Sequence, residues 1–124
     1  MLGIVRHARA SAPGYPALCR AFSSASSLIS TASAAALVGQ PGVRFIDVRD
    51  PRIFDAGHVA GAANAIEFFS YLATSTPVGV NHLARTFERV LTEKGVLTTD
   101  RLITYEDSMR GMYGASCRGW YLLR

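Results

Sequence analysis

Phe45-Ile46-Asp47-Val48-Arg49-Asp50-Pro51 is the stretch on which the fold turns. It continues an apolar, β-branched run over residues 43–48 that opens just after a Pro41-Gly42 turn, and such a run reads as a short strand. Asp50 followed by Pro51 reads as a helix start. A carboxylate there accepts from the free N–H groups of a first turn, and proline is tolerated at the first helical position. Ile53 and Phe54 are expected to pack this short helix before Gly57 ends it. Asp47 and Arg49 fall at the C-terminal end of the strand, where the ligands of α/β sheets collect.

Downstream, Gly57-His58-Val59-Ala60-Gly61-Ala62 is too rich in glycine for a long element and predicts a tight bend leading into residues 63–66. Phe68, Phe69, Tyr71 and Leu72 form an apolar cluster, and residues 74–79 read as a loop. Asn81 is expected to cap a helix to Lys94, with Leu83, Phe87, Val90 and Leu91 on one stripe and Gly95 as its stop. Thr98-Thr99-Asp100 predicts a turn with a solvated Asp100–Arg101 pair, leading into a second strand over residues 101–105. Asp107 or Ser108 then predicts a third helix through Trp120 toward Arg124, with Trp120 and Tyr121 in the core. Upstream, Ser30 or Thr31 is expected to cap a short helix through Leu37, stopped by Gly39. Alternating strands and helices predict an α/β domain with a parallel sheet and covering helices. Two clear strands are few where ~5 is usual, and the apolar end of the chain expects a further strand to pack on. The expectation is therefore a domain truncated at its C-terminus.

The chain has 124 residues and a formal charge of +4, which bounds it to one ordinary domain. That charge is local. Residues 1–46 hold Arg6, Arg9, Arg20 and Arg44 with no acid, so the remainder balances nine basic against nine acidic side chains. The basic balance is thus a poor argument for nucleic-acid binding. Over residues 8–36, seventeen of twenty-nine are Ala or Ser. An Arg-bearing, Ser-rich, acid-free segment has the composition of a mitochondrial transit peptide, and Arg20-Ala21-Phe22 before Ser23-Ser24 resembles a matrix-processing site. Residues 1–29 are accordingly expected to be a transit segment or a disordered tail, with the matrix as destination, and residues 30–124 the domain. No stretch approaches 18 consecutive apolar residues, so no membrane span is expected. Cys19 and Cys117 make no disulfide framework, and no His/Cys/Asp group has zinc spacing, so neither a metal nor a cofactor is expected.

The run from Phe45 to Asp50 resembles the first signature of the rhodanese family, a strand ending in Asp-x-Arg. Gly57-His58-Val59-Ala60-Gly61-Ala62-Ala63-Asn64 resembles that family's Gly-His-Ile-Pro-Gly-Ala-x-Asn bend, with Ala60 where proline is usual. Leu102-Ile103-Thr104-Tyr105 falls where the strand before the active-site loop should be, and the resemblance spans residues 30–124. It implies a three-layer α/β fold. It also implies a sulfurtransferase that takes sulfane sulfur from thiosulfate or 3-mercaptopyruvate onto a cysteine and passes it to a thiol or cyanide acceptor.

In the family's active pattern the cysteine directly follows that last strand, and here the position is Glu106. Tyr105-Glu106, Gly111 and Ser116-Cys117-Arg118-Gly119-Trp120-Tyr121 resemble instead the N-terminal, non-catalytic domain of a tandem rhodanese, which implies a second rhodanese domain as partner. A carboxylate would fill the N–H cradle meant for a persulfide and offers no sulfur nucleophile, so Glu106 reads as a plug. Cys117 is the one thiol near the site and the candidate nucleophile, with Arg118 beside it to stabilise a thiolate. Deep in a predicted helix, its ordinary role is that of a buried, inert cysteine. The alternative is that residues 107–114, with Gly111 and Gly114 as poor helix-interior residues, form a non-helical loop that places Cys117 at the true helix start. Asp47, Arg49, His58, Arg110 and Arg118 are the candidate substrate-binding residues. Their plainer roles are a fold-organising Asp47–Arg49 pair, a His58 bonded to backbone and an exposed loop Arg110. The alternative to a sulfurtransferase is a catalytically inactive structural or regulatory domain. A phosphatase related by fold fits less well, since it too needs a cysteine at the position of Glu106.

Overall fold

The computed structural model describes residues 2–6 (backbone), 27–67, 74–108 and 114–123. In chain order these form β1 (Leu2–Arg6), β2 (Leu28–Ile29), α1 (Thr31–Ala35), β3 (Val43–Asp47), α2 (Pro51–Ala56), β4 (Ala63–Asn64), α3 (Pro77–Glu93), β5 (Arg101–Tyr105) and α4 (Ala115–Leu122). The strands make one sheet in the order β2-β1-β5-β3-β4. β3 is parallel to both β5 and β4, whereas β1 runs antiparallel to β5 and to β2. The expected parallel sheet is thus its centre, extended on one side by antiparallel strands.

Side chains alternate across the strands, and the two faces collect separate cores. On one face Ile46, Val48 and Leu102 pack with Phe87 and Val90 of α3 and Ala115 of α4. On the other, Phe45, Ile103 and Tyr105 pack with Ala34 of α1 and with Val59 and Ala62 of the bend. Helices cover both faces, which gives three layers.

The local chemistry explains most of the element ends. Ser30 caps α1, its Oγ accepting from Ser33 N–H at 3.1 Å. Asp50 caps α2, its Oδ1 accepting from Arg52 N–H at 2.9 Å, with Pro51 as the first helical residue. No residue of α2 is buried, and Ile53 lies exposed, so the expected packing of that helix is confined to a half-buried Phe54.

Two helix starts differ from expectation. α3 begins at Pro77, one turn before Asn81, because Thr76 accepts from Gly79 N–H at 3.1 Å and Pro77 comes next as a pre-set first residue. The expected stripe holds, with Phe87 and Val90 buried and Leu83 and Leu91 packed against them. α4 begins at Ala115 rather than after Asp107, since Gly114 adopts a left-handed conformation (φ 77°) that no regular helix accommodates. The turn before β5 also differs. Asp100 is buried, its Oδ2 accepting from Leu97 N–H at 2.9 Å and facing Arg44 at 3.5 Å, so no solvated pair with Arg101 exists there. Tyr121 points outward, two-thirds exposed, and only Trp120 of that pair packs on the core. The apolar cluster at residues 68–72, Arg110 and Gly111 lie outside the described residues.

Candidate functional site

The C-terminal ends of the parallel strands β3 and β5 bring the candidate residues together. Asp47 and Tyr105 are direct neighbours in the parallel register. Asp47 has no exposed surface, and its carboxylate is satisfied within the protein. Oδ1 accepts from Arg49 N–H and Nε, both at 2.9 Å, and Oδ2 accepts from Arg49 Nη2 at 2.6 Å. Arg49 Nη2 also donates to Gly57 O at 2.8 Å, and its guanidinium lies over the Tyr105 ring, 5.5 Å from the centroid. Asn64 Nδ2 donates to Arg49 O (2.8 Å) and Asp47 O (3.2 Å), and the Tyr105 hydroxyl accepts from Val59 N–H at 3.0 Å. One cluster thus ties β3, β5 and the 57–64 bend.

The electrostatics reflect that geometry. Burial alone would raise the Asp47 carboxyl. Hydrogen bonds from the Arg49 side chain, the Tyr105 hydroxyl and Arg49 N–H outweigh it and hold Asp47 below its ordinary value. Arg49 is raised by its bond to Asp47. Burial, with the bond to Asp47, pushes Tyr105 up to about 12. With no surface to offer, Asp47 organises the fold, and Arg49 directs Nε and Nη2 to Asp47 and Gly57.

His58 stacks on Phe54 (centroids 3.8 Å apart), and its Nδ1 lies 2.9 Å from Phe54 O. A carbonyl can only accept, so Nδ1 carries the proton in that contact. This binds the imidazole to backbone at the end of α2.

The position after β5 is where chemistry would be sought. Glu106 is buried and turned inward onto the start of α4. Its Oε2 accepts from Ala115 N–H at 3.1 Å, and its Oε1 accepts from Ser116 N–H at 3.2 Å and Ser116 Oγ at 2.8 Å. The free N–H groups at a helix start form an anion site, and here a carboxylate of the same chain occupies it. Thr104 Oγ1 donates to Ser116 O at 2.9 Å, which locks α4 against β5. The helix comes so close that a side chain at Gly119 would meet Thr104 Cγ2 at 3.3 Å and Val48 Cγ1 at 3.5 Å.

Cys117 is the third residue of α4, not a residue deep in a helix, because the helix starts late. It is exposed and outside any disulfide, so the expected burial is overturned. Ala115, Ser116 and Gly119 face the sheet, while Cys117 and Arg118 are exposed. Sequence reasoning had no means of finding the two bonds from Ser116 to Glu106, because ten residues separate them. Among the described residues no group of three or more His, Cys, Asp and Glu could hold a metal ion, and no helix is long and apolar enough to cross a membrane.

An α/β sheet with a parallel β5-β3-β4 centre, its Asp-x-Arg strand end clamped to a Gly-His bend, defines the class of this domain. The family model for the rhodanese-like domain matches residues 30–124, and the chain belongs to that family. No curated protein and no solved structure matches it.

Two substitutions test the site. Asp47→Asn leaves Arg49 without its counter-charge and is expected to destabilise the domain by about 3 kcal/mol at neutral pH. The depressed carboxyl contributes its stability above the ordinary carboxylate range and loses it as pH falls through the folded value. The gap between wild type and Asp47→Asn should therefore close below about pH 4, as read by denaturant melts across pH. Glu106→Ala strands three donors at the start of α4 and should cost about 2–4 kcal/mol, with Glu106→Gln in between, measured by chemical denaturation at pH 7.

Proposed function

We propose that this chain is a rhodanese-like domain of the sulfurtransferase type whose own sulfur-carrying position is closed. In this reading it serves as a structural or regulatory module beside a catalytic rhodanese domain. One observation carries it: the Glu106 carboxylate fills the N–H cradle of α4, bonded to Ala115 N–H, Ser116 N–H and Ser116 Oγ. A sulfane sulfur needs both a thiolate to carry it and free donors to hold the anion. Glu106 withdraws both.

A second reading rests on the exposure of Cys117 in the first turn of α4. In it the Cys117 thiolate attacks the outer sulfur of thiosulfate, the S–S bond breaks and sulfite leaves with the electron pair. Cyanide or a thiolate then takes the outer sulfur from the persulfide and restores the Cys117 thiolate. Arg118, beside Cys117, and Arg110 would meet the anionic donor. The donor class, thiosulfate or 3-mercaptopyruvate, comes from the family. Location in the mitochondrial matrix is part of the same proposal and is supported by the acid-free, Ser-rich N-terminal composition. Import of the labelled chain into isolated mitochondria, with or without shortening, checks it.

Folded chain incubated with thiosulfate and cyanide is expected to give no thiocyanate above the blank. Its intact mass should show no added sulfur atom. Thiocyanate formation with a sulfur mapped to Cys117, both abolished by Cys117→Ser, would establish the relay instead.

A further inference from the structure

Strand β1 does not lie at the margin of the sheet. The order β2-β1-β5-β3-β4 puts it between β2 and β5, where it fills a space one strand wide. Neighbouring strands sit ~4.8 Å apart, so without β1 its two neighbours would face each other across about 9.6 Å, too far to pair. The strand also comes from the part of the chain least like the rest. It belongs to the acid-free, leader-like N-terminus, and residues 7–27 separate it from β2.

The register fixes which groups depend on it. Arg101 N–H donates to Gly42 O, and Tyr105 O accepts from Val48 N–H. Along β5, therefore, Arg101, Ile103 and Tyr105 turn their backbone groups toward β3. Leu102 and Thr104 turn theirs toward β1. Val5 stands opposite Leu102, and Gly3 opposite Thr104. The side chains around these groups are interior, since Leu102, Ile103 and Thr104 have no exposed surface. Backbone groups left unpaired in such surroundings cost free energy comparable to a lost hydrogen bond. Leu102 and Ile103 also belong to the two opposite apolar cores, so an uncovered β5 would be an edge with apolar surface on both sides.

We propose that the slot between β5 and β2 is an acceptor site for one extended strand, filled here by the chain's own Leu2–Arg6. Cleavage anywhere between Arg6 and Leu28 then turns an internal strand into a detachable peptide ligand. Its recognition is by main-chain pairing in antiparallel register, the mode by which extended peptides add to sheet edges. The inference stands on the sheet alone and is independent of whether the domain carries sulfur.

Residue-resolved amide hydrogen exchange on the intact chain reads the slot directly. Leu102 and Thr104 should be protected as strongly as Ile103 and Tyr105. An alternating pattern in the untouched chain, with Leu102 and Thr104 about tenfold faster, would overturn the proposal. The full-length variant Val5→Pro removes the N–H opposite Leu102 and should create that alternating pattern. An added peptide of residues 1–7 should reverse it. Unchanged protection in Val5→Pro, or loss of protection at all four amides together, counts against a separable strand. A full-length chain with a specific protease site within residues 7–26 supplies the independent measurement. Once cut, it should take up labelled peptide of residues 1–7 and release its own strand, and failure to exchange refutes a detachable occupant.

Discussion

A carboxylate with no exposed surface has to be neutralised and hydrogen-bonded where it stands, since an unpaired buried charge is expensive. Asp47 meets that demand through Arg49, two residues on, and the reach of Arg49 sets the positions of the neighbouring elements. Its Nη2 holds Gly57 O, so the bend after α2 closes over the end of β3. The bend then supplies Val59 N–H to Tyr105 and Asn64 to the main chain of β3. That fixes β4 beside β3 and β5 on its other side. β3 is thus tied at its C-terminal end to the bend, to β4 and to β5.

Glu106 repeats the same physics one strand over. It comes directly after β5 as Asp47 ends β3, it is buried, and it spends both oxygens on donors of the protein. The strand ends of an open α/β sheet are where ligands collect, and here the acids at both ends are turned inward. The contact that secures the start of α4 is also the contact that occupies the N–H groups of Ala115 and Ser116. Cys117 escapes this because the helix turns it and Arg118 away from the sheet.

Much of this was legible in local sequence. The Asp50-Pro51 start of α2, the Ser30 cap of α1, the strands around Phe45 and Ile103 and the Phe87–Val90 stripe all depend on neighbours within a turn or two. Asn81 misled because Thr76-Pro77, an equally good signal, stood one turn earlier in a stretch that reads as loop. Asp100 misled for a different reason. A charged residue in a turn is ordinarily solvated, and only the fold shows that Arg44 and Leu97 N–H enclose it. The late start of α4 has its cause in Gly114, which the sequence marks as a poor helix-interior residue without showing that its backbone is left-handed.

By itself the sequence determined the family, through an Asp-x-Arg strand end and a Gly-His bend whose residue types are set by local backbone demands. It also determined that the position after β5 holds a carboxylate, Glu106, where the family's active pattern has a cysteine. The tertiary structure decided what that carboxylate does, because its partners at Ala115 and Ser116 become neighbours only when α4 packs on β5. It decided likewise that Cys117 is exposed and that Leu2–Arg6 lies inside the sheet. Contacts between segments this far apart in the chain are selected by burial and backbone pairing, and composition carries no record of them.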